Sequence, residues 1–140
     1  LSNISIRFDG GEQKGDHGLD VPEAEDDYPE GRMFGTLPAY GFYFRHVRGL
    51  RVSDVQMSYA GSDGRPAVIC DDVEGMRLEG LQAQDEPGAP IQVILKDTKN
   101  VLITGCTAAA VEAFVTETGD CEDVRLMNND AGKANAEHLK

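Results

Sequence analysis

Apolar and polar residues follow one another along this chain in short runs that return at a nearly constant interval. Four segments share the order apolar or small, any, small or polar, apolar, any, apolar. They are Val47-Arg48-Gly49-Leu50-Arg51-Val52, Val73-Glu74-Gly75-Met76-Arg77-Leu78, Thr98-Lys99-Asn100-Val101-Leu102-Ile103 and Cys121-Glu122-Asp123-Val124-Arg125-Leu126. The steps from Leu50 to Met76 to Val101 to Val124 are 26, 25 and 23 residues. A fifth copy, Leu1-Ser2-Asn3-Ile4-Ser5-Ile6, lies about a double step earlier, beyond an insertion. Each unit carries a second strand ahead of the first: Phe42-Tyr43-Phe44, Val68-Ile69-Cys70 and Val93-Ile94-Leu95, with a poorer match at Phe114-Val115-Thr116. Side chains alternate across a strand, so Phe42, Phe44, Val68, Cys70, Val93 and Leu95 share one face. No helical stripe runs through residues 41–126.

A repeat of about 25 residues built from short strands cannot bury its own apolar face. Stacked copies bury a continuous column instead. The pattern therefore predicts an all-β chain, a right-handed parallel β-helix of about four to five coils, forming one domain over residues 1–140. A leucine-rich repeat lacks its Leu-x-x-Leu-x-Leu pattern here, and a jelly roll or sandwich would not keep the period. The tail, residues 131–140, reads either as a short helix covering the last edge or as a frayed end. An uncapped first coil leaves an edge through which the chain is expected to self-associate.

Residues 9–41 break the period. From Asp9 to Glu30 there are nine acidic residues and one basic residue, Lys14. Six of the nine aromatic residues fall between Tyr28 and Phe44, and Pro22, Pro29 and Pro38 prevent regular pairing. Aromatics argue for a loop packed on the solenoid flank rather than a solvated one.

Stacked coils put residues in files about 4.8 Å apart. One outward file is Tyr43, Ile69 and Ile94, beside Arg45, Asp71 and Lys96; the next is His46, Asp72, Asp97 and Asp120. The alternating Arg45, Asp71 and Lys96 charges read either as a register-setting ladder or as part of a ligand site. The aspartate file repels itself unless its carboxylates cap turns or meet a cation. An apolar outward trio does not face water bare, so either the insertion covers it or it floors a groove bordered by Arg65-Pro66 and Tyr40.

Charge narrows the partners. The 13 Lys+Arg against 25 Asp+Glu leave a net charge of −12, which disfavours nucleic acid and anionic membrane surfaces. No apolar run approaches the length of a membrane span. Cys70, Cys106 and Cys121 form no CxxC pair, and His17, His46 and His138 are scattered, so no metal site is expected. GxSxG, P-loop, GxGxxG and HExxH motifs are absent.

Taken together, Tyr28-Pro29-Glu30, Met33-Phe34-Gly35, Leu37-Pro38-Ala39-Tyr40-Gly41-Phe42-Tyr43, Arg45-His46-Val47, Arg65-Pro66-Ala67-Val68 and Asp71-Asp72-Val73 resemble the C-terminal coils of bacterial pectin-degrading β-helix proteins. These are the polygalacturonase and rhamnogalacturonase relatives of glycoside hydrolase family twenty-eight, and the resemblance spans roughly residues 1–105. It implies a secreted or periplasmic protein that acts on acidic plant polysaccharide by inversion at paired aspartates, with no cofactor. The family's signature is Asn-Thr-Asp, Asp-Asp, Gly-His-Gly and Arg-Ile-Lys. This chain has Asp71-Asp72 but none of the other three, so no catalytic role passes to either aspartate, and the catalytic coils are expected upstream of Leu1. The residues expected to contact a polysaccharide are Tyr40, Tyr43, Arg45, His46, Arg65, Asp71, Asp72 and Lys96. A non-catalytic carbohydrate-binding or adhesin-type module is the competing expectation.

Overall fold

A computed structural model describes residues 1–10, 21–24, 26, 30, 33–84 and 89–140. The fold is a parallel β-solenoid of about four turns, and the described residues contain no helix. The strands are β1 (Ser2–Phe8), β2 (Phe42–Arg48), β3 (Arg51–Tyr59), β4 (Val68–Glu79), β5 (Gln82–Ala83), β6 (Ala89–Lys96), β7 (Lys99–Thr104), β8 (Val111–Thr118), β9 (Glu122–Met127) and β10 (Ala136–Leu139). One wall stacks β2, the first half of β4, β6, β8 and β10. A second stacks β1, β3, the end of β4, β7 and β9. The third side is short, with Gln56 over Gln82, Thr107 and Asp130.

The periodic positions pile up as expected. Arg51 pairs with Arg77, which places Leu50 over Met76, and Met76 continues to Val101 and Val124. Val52, Leu78 and Ile103 form the adjacent file, each at most 1% exposed. Every such side chain removed from water contributes about 1.5–3 kcal/mol. Together these files are the interior of the solenoid.

The corners explain the small or polar position of the repeat. Gly49, Gly75, Asn100 and Asp123 all have φ between 50° and 73°, and they sit one above another. Two further files of the same kind are Asn3, Asp54, Gly80, Gly105 and Asn128, and His46, Asp72, Asp97 and Gly119. A strand that must bend sharply between walls passes through the left-handed region. Glycine enters it freely, and Asn, Asp and His enter it more readily than other residues. Corner chemistry, not only apolar spacing, therefore sets the period.

This also corrects the register of the first coil. The motif at Leu1–Ile6 reads as a copy of Val47–Val52, yet Ile4 lies beside Val55 and Ile6 beside Met57. Val52-Ser53-Asp54-Val55-Gln56-Met57 carries the same apolar and polar order around a different corner, so the two sites are indistinguishable by pattern. The first coil is thus the immediate neighbour of the next, with residues 9–41 standing between β1 and β2 in the chain. A second correction concerns Asp120. Lys96 pairs with Thr118 whereas Lys99 pairs with Glu122, so the last coil holds one extra residue at this corner. Gly119 takes the position below Asp97, and the Asp120 amide donates to Asp97 Oδ1 at 2.7 Å.

The C-terminal tail is not a capping helix. Ala136, His138 and Leu139 pair with Ala113, Val115 and Thr116 as an added parallel strand. The apolar file Phe44, Cys70, Leu95 ends at Glu117, which meets the His138 imidazole. All three cysteines are free thiols. Burial pushes the Cys70 thiol up to about 12, and its Sγ lies 3.4 Å from Met76 Sδ. An alkylating reagent at about pH 8 should therefore label partly exposed Cys121 while Cys70 stays unmodified in the folded protein. Equal labelling rates by mass spectrometry would contradict this packing.

Candidate functional site

Alternation along β2 and β4 points Tyr43, Arg45, Ile69 and Asp71 away from the core, on one wall. Register then sets Tyr43 beside Ile69 and Ile94, and Arg45 beside Asp71 and Lys96. Asp71 is only 6% exposed, although it lies on the outer face. A buried carboxylate needs donors, and it has three. The Tyr43 hydroxyl donates to Asp71 Oδ2 at 2.9 Å, Arg45 Nε reaches the same oxygen at 3.3 Å, and Lys96 Nζ lies 3.4 Å from Oδ1. Arg45 Nε also donates to the Tyr43 hydroxyl at 2.9 Å, and its guanidinium carbon sits 5.2 Å from the Tyr43 ring centroid. Burial, then the Asp71 carboxylate, pushes the Tyr43 phenol up to about 12, so Tyr43 acts as a hydroxyl donor and not as a base.

The insertion is latched onto this wall. Arg45 Nη2 donates to the Val21 carbonyl at 2.6 Å, and Nη1 donates to Glu23 Oε1 at 3.0 Å. Arg65 forms a two-pronged pair with buried Asp63, at 2.9 and 2.6 Å, and donates Nη1 to the Leu37 carbonyl at 3.1 Å. Tyr40 is buried among Phe8 and Tyr59, with ring centroids 5.8 and 5.1 Å away, and its hydroxyl donates to the Gln84 carbonyl at 2.6 Å. Outward-pointing Ile69 is fully buried. Ile94, the next member of that file, is partly exposed. A cleft of about 340 Å³ remains between strap and wall, lined by Val21, Glu23, Phe34, Leu37, Tyr43, Arg45 and His46.

Histidine 46 forms the edge of this cleft. Its Nδ1 is 2.6 Å from Asp72 Oδ2, and its Nε2 is 3.2 Å from Glu23 Oε2. Hydrogen bonds to Asp72 and then to Glu23 hold its pKa above the ordinary 6.5. The raised value makes the stabilising bridge complete below the unfolded pKa and lost as pH rises through the folded one. A histidine titration by NMR should therefore place His46 above a His in an unfolded peptide, and Asp72→Asn should bring it down. A native His46 at or below 6.5 would overturn the bridge.

Of the residues expected to contact a ligand, the structure brings together Tyr43, Arg45, His46, Asp71, Asp72 and Lys96. It removes two. Tyr40 belongs to the interior, because its ring completes an aromatic cluster at the first coil. Arg65 is committed to Asp63 and Leu37, where it fastens the insertion. Glu23, Phe34 and Leu37 join the site without having been expected as ligand contacts. Nothing periodic distinguishes Glu23 from its eight acidic neighbours, so only the tertiary contact with Arg45 identifies it. Tyr28 and His17 lie outside the described residues. Among the described residues, no three His, Cys, Asp or Glu side chains gather as a metal site. The chain matches no family model, no curated protein and no solved structure.

Proposed function

We propose that this chain supplies non-catalytic coils of a secreted, pectin-type polysaccharide-degrading β-solenoid protein, with the insertion cleft as one wall of its glycan site. The observation that carries the reading is the cleft itself. An aromatic and apolar rim of Phe34, Leu37 and Tyr43 adjoins the Arg45 guanidinium and the His46 imidazole, whose pKa is raised by its carboxylate partners. A sugar ring presents an apolar face to such a rim, and a uronate carboxylate presents an anion to such a pair.

Hydrolysis belongs elsewhere in this reading. An inverting glycosidase needs two carboxyl groups about 6.5–9.5 Å apart, one positioned to protonate the leaving oxygen and the other to activate water. Asp71 is buried beneath three donors, and Asp72 is bonded to His46, so neither is free for that work. The resemblance of residues 1–105 to the coils of pectin-degrading proteins supports the substrate class. The competing reading, a glycan-binding or adhesin-type module, shares the cleft and differs only in having no catalytic partner.

The test uses polygalacturonate with the chain as it stands. At low salt, calorimetry should register saturable binding that weakens as salt rises, and reducing-end assays should register no cleavage. Absence of binding to the polymer would overturn the glycan reading, and release of reducing ends would overturn its non-catalytic part.

A further inference from the structure

The strap that narrows the cleft carries an acidic side chain onto its cationic pair. Glu23 Oε1 lies 3.0 Å from Arg45 Nη1, and its two carboxylate oxygens lie 3.3 and 3.2 Å from His46 Nε2. The Glu23 side chain is 55% exposed, so the carboxylate rests at the mouth of the cleft instead of being sealed in it. Its neighbours Val21 and Pro22 present only backbone carbonyls to Arg45.

The pairing shows what Glu23 does there. Among the described residues, Asp71 takes Arg45 Nε and Asp72 takes His46 Nδ1, whereas Glu23 meets Arg45 Nη1 and His46 Nε2. Asp71 and Asp72 stand on β4 of the solenoid wall, whereas Glu23 comes from the insertion. Arg48 and Glu74, the next charges along the corner, pair with each other at 3.6 Å. The strap thus brings a carboxylate to the two donor positions that Asp71 and Asp72 leave, beside the aromatic rim of the cleft.

We propose that Glu23 is an intramolecular stand-in for the carboxylate of an acidic sugar, so that residues 21–23 occupy an anion site formed by Arg45 and His46 and compete with the ligand for it. This rests on the glycan reading for the identity of the ligand but not for the existence of the site. A ligand carboxylate would take the Nη1–H of Arg45 and the Nε2–H of protonated His46 that Glu23 now holds. Phe34, Leu37 and Tyr43 would contact the ring that bears it. The strap then sets affinity: it must be displaced before a uronate can dock, and Arg45 retains the strap backbone through Val21 when Glu23 leaves.

Glu23→Gln keeps the size and removes the charge. Galacturonate should bind this variant about tenfold more tightly than it binds the native protein, the gain expected when one charge-assisted contact no longer has to be displaced. The NMR titration of His46 supplies an independent readout. Its pKa should fall in the Glu23→Gln variant and rise again when galacturonate is saturating. The double variant Glu23→Gln, His46→Gln should lose the gain. Unchanged galacturonate affinity in Glu23→Gln, or a His46 titration that galacturonate leaves unmoved, overturns the proposal. Acetate separates the site from the sugar. An equal gain for acetate and galacturonate keeps the anion site and removes the ring contacts. Binding of the native chain to polygalacturonate, read separately, decides the glycan reading whatever Glu23 does.

Discussion

Asp71→Ala should lower the free energy of unfolding by about 3 kcal/mol, a loss on the scale of breaking a buried ion pair. The magnitude follows from what would be left behind. Asp71 is the acceptor for the Tyr43 hydroxyl, for Arg45 and for Lys96, and its side chain is 9% exposed against 13% for Arg45. Removing it leaves two cations on either side of the β4 strand, two strand spacings apart, with their common anion gone. Lys96, at 28% exposed, can turn toward water, which keeps the loss at the lower end of the range for buried pairs. Urea unfolding measures it, with an unchanged slope showing that the native state stays compact. Arg45 also holds the strap, so chymotrypsin should cut faster near Phe34 and Leu37, both exposed at the cleft rim. A shift below about 0.5 kcal/mol would place the pair among ordinary surface bridges and remove the latch from the account.

Leu78→Ala should be at least as damaging, costing about 4 kcal/mol. Leu78 is wholly buried between Val52 and Ile103 in adjacent coils. Leucine-to-alanine changes in cores cost about 2–5 kcal/mol, and the spread depends on how far neighbours collapse into the cavity. Here they are held apart by the strand spacing on both sides, and both are β-branched with stiff χ1, so little relaxation is available. Leu139→Ala is the matched control, since Leu139 is 47% exposed on the last strand, and its loss should stay within about 0.5 kcal/mol. Similar midpoints for the two variants would mean that the interior file contributes little. A solenoid's stability is mostly nearest-neighbour, so the damage should center on the coils that flank Leu78.

The coil period was legible because two independent constraints repeat together. Leu50, Met76 and Val101 must face inward, and Gly49, Gly75 and Asn100 must tolerate the left-handed corner. Either signal alone is weak, but at a shared spacing they specify which residues stack. The same logic places Arg45 beside Asp71 and Lys96 from the repeat alone. It failed where the local pattern was degenerate. Asn3 and Gly49 are both corner residues followed by an apolar position, so nothing within six residues separates one corner from another. It failed again at Asp120, because a single added residue shifts a corner without disturbing the strands on either side.

The site was half legible for a related reason. Tyr43, Arg45 and Asp71 lie on the periodic wall, where register alone brings them together. Tyr40 and Arg65 looked like cleft residues because both are polar-tipped and near a coil corner. Their burial and partners come from Phe8, Tyr59, Asp63 and Leu37, none of which is related to them by the repeat.

By itself, then, the amino-acid order determined the parallel β-solenoid, its rung spacing and the charged file on its outer wall, since these depend on strand alternation and on the few residue types that accept a left-handed bend. Only the tertiary structure decided that residues 21–23 lie on the Arg45 wall and that, among the described acidic residues of the insertion, Glu23 meets Arg45 and His46. An aperiodic segment has no lattice to place it; its position is chosen by a few long-range contacts, and those are properties of the folded surface.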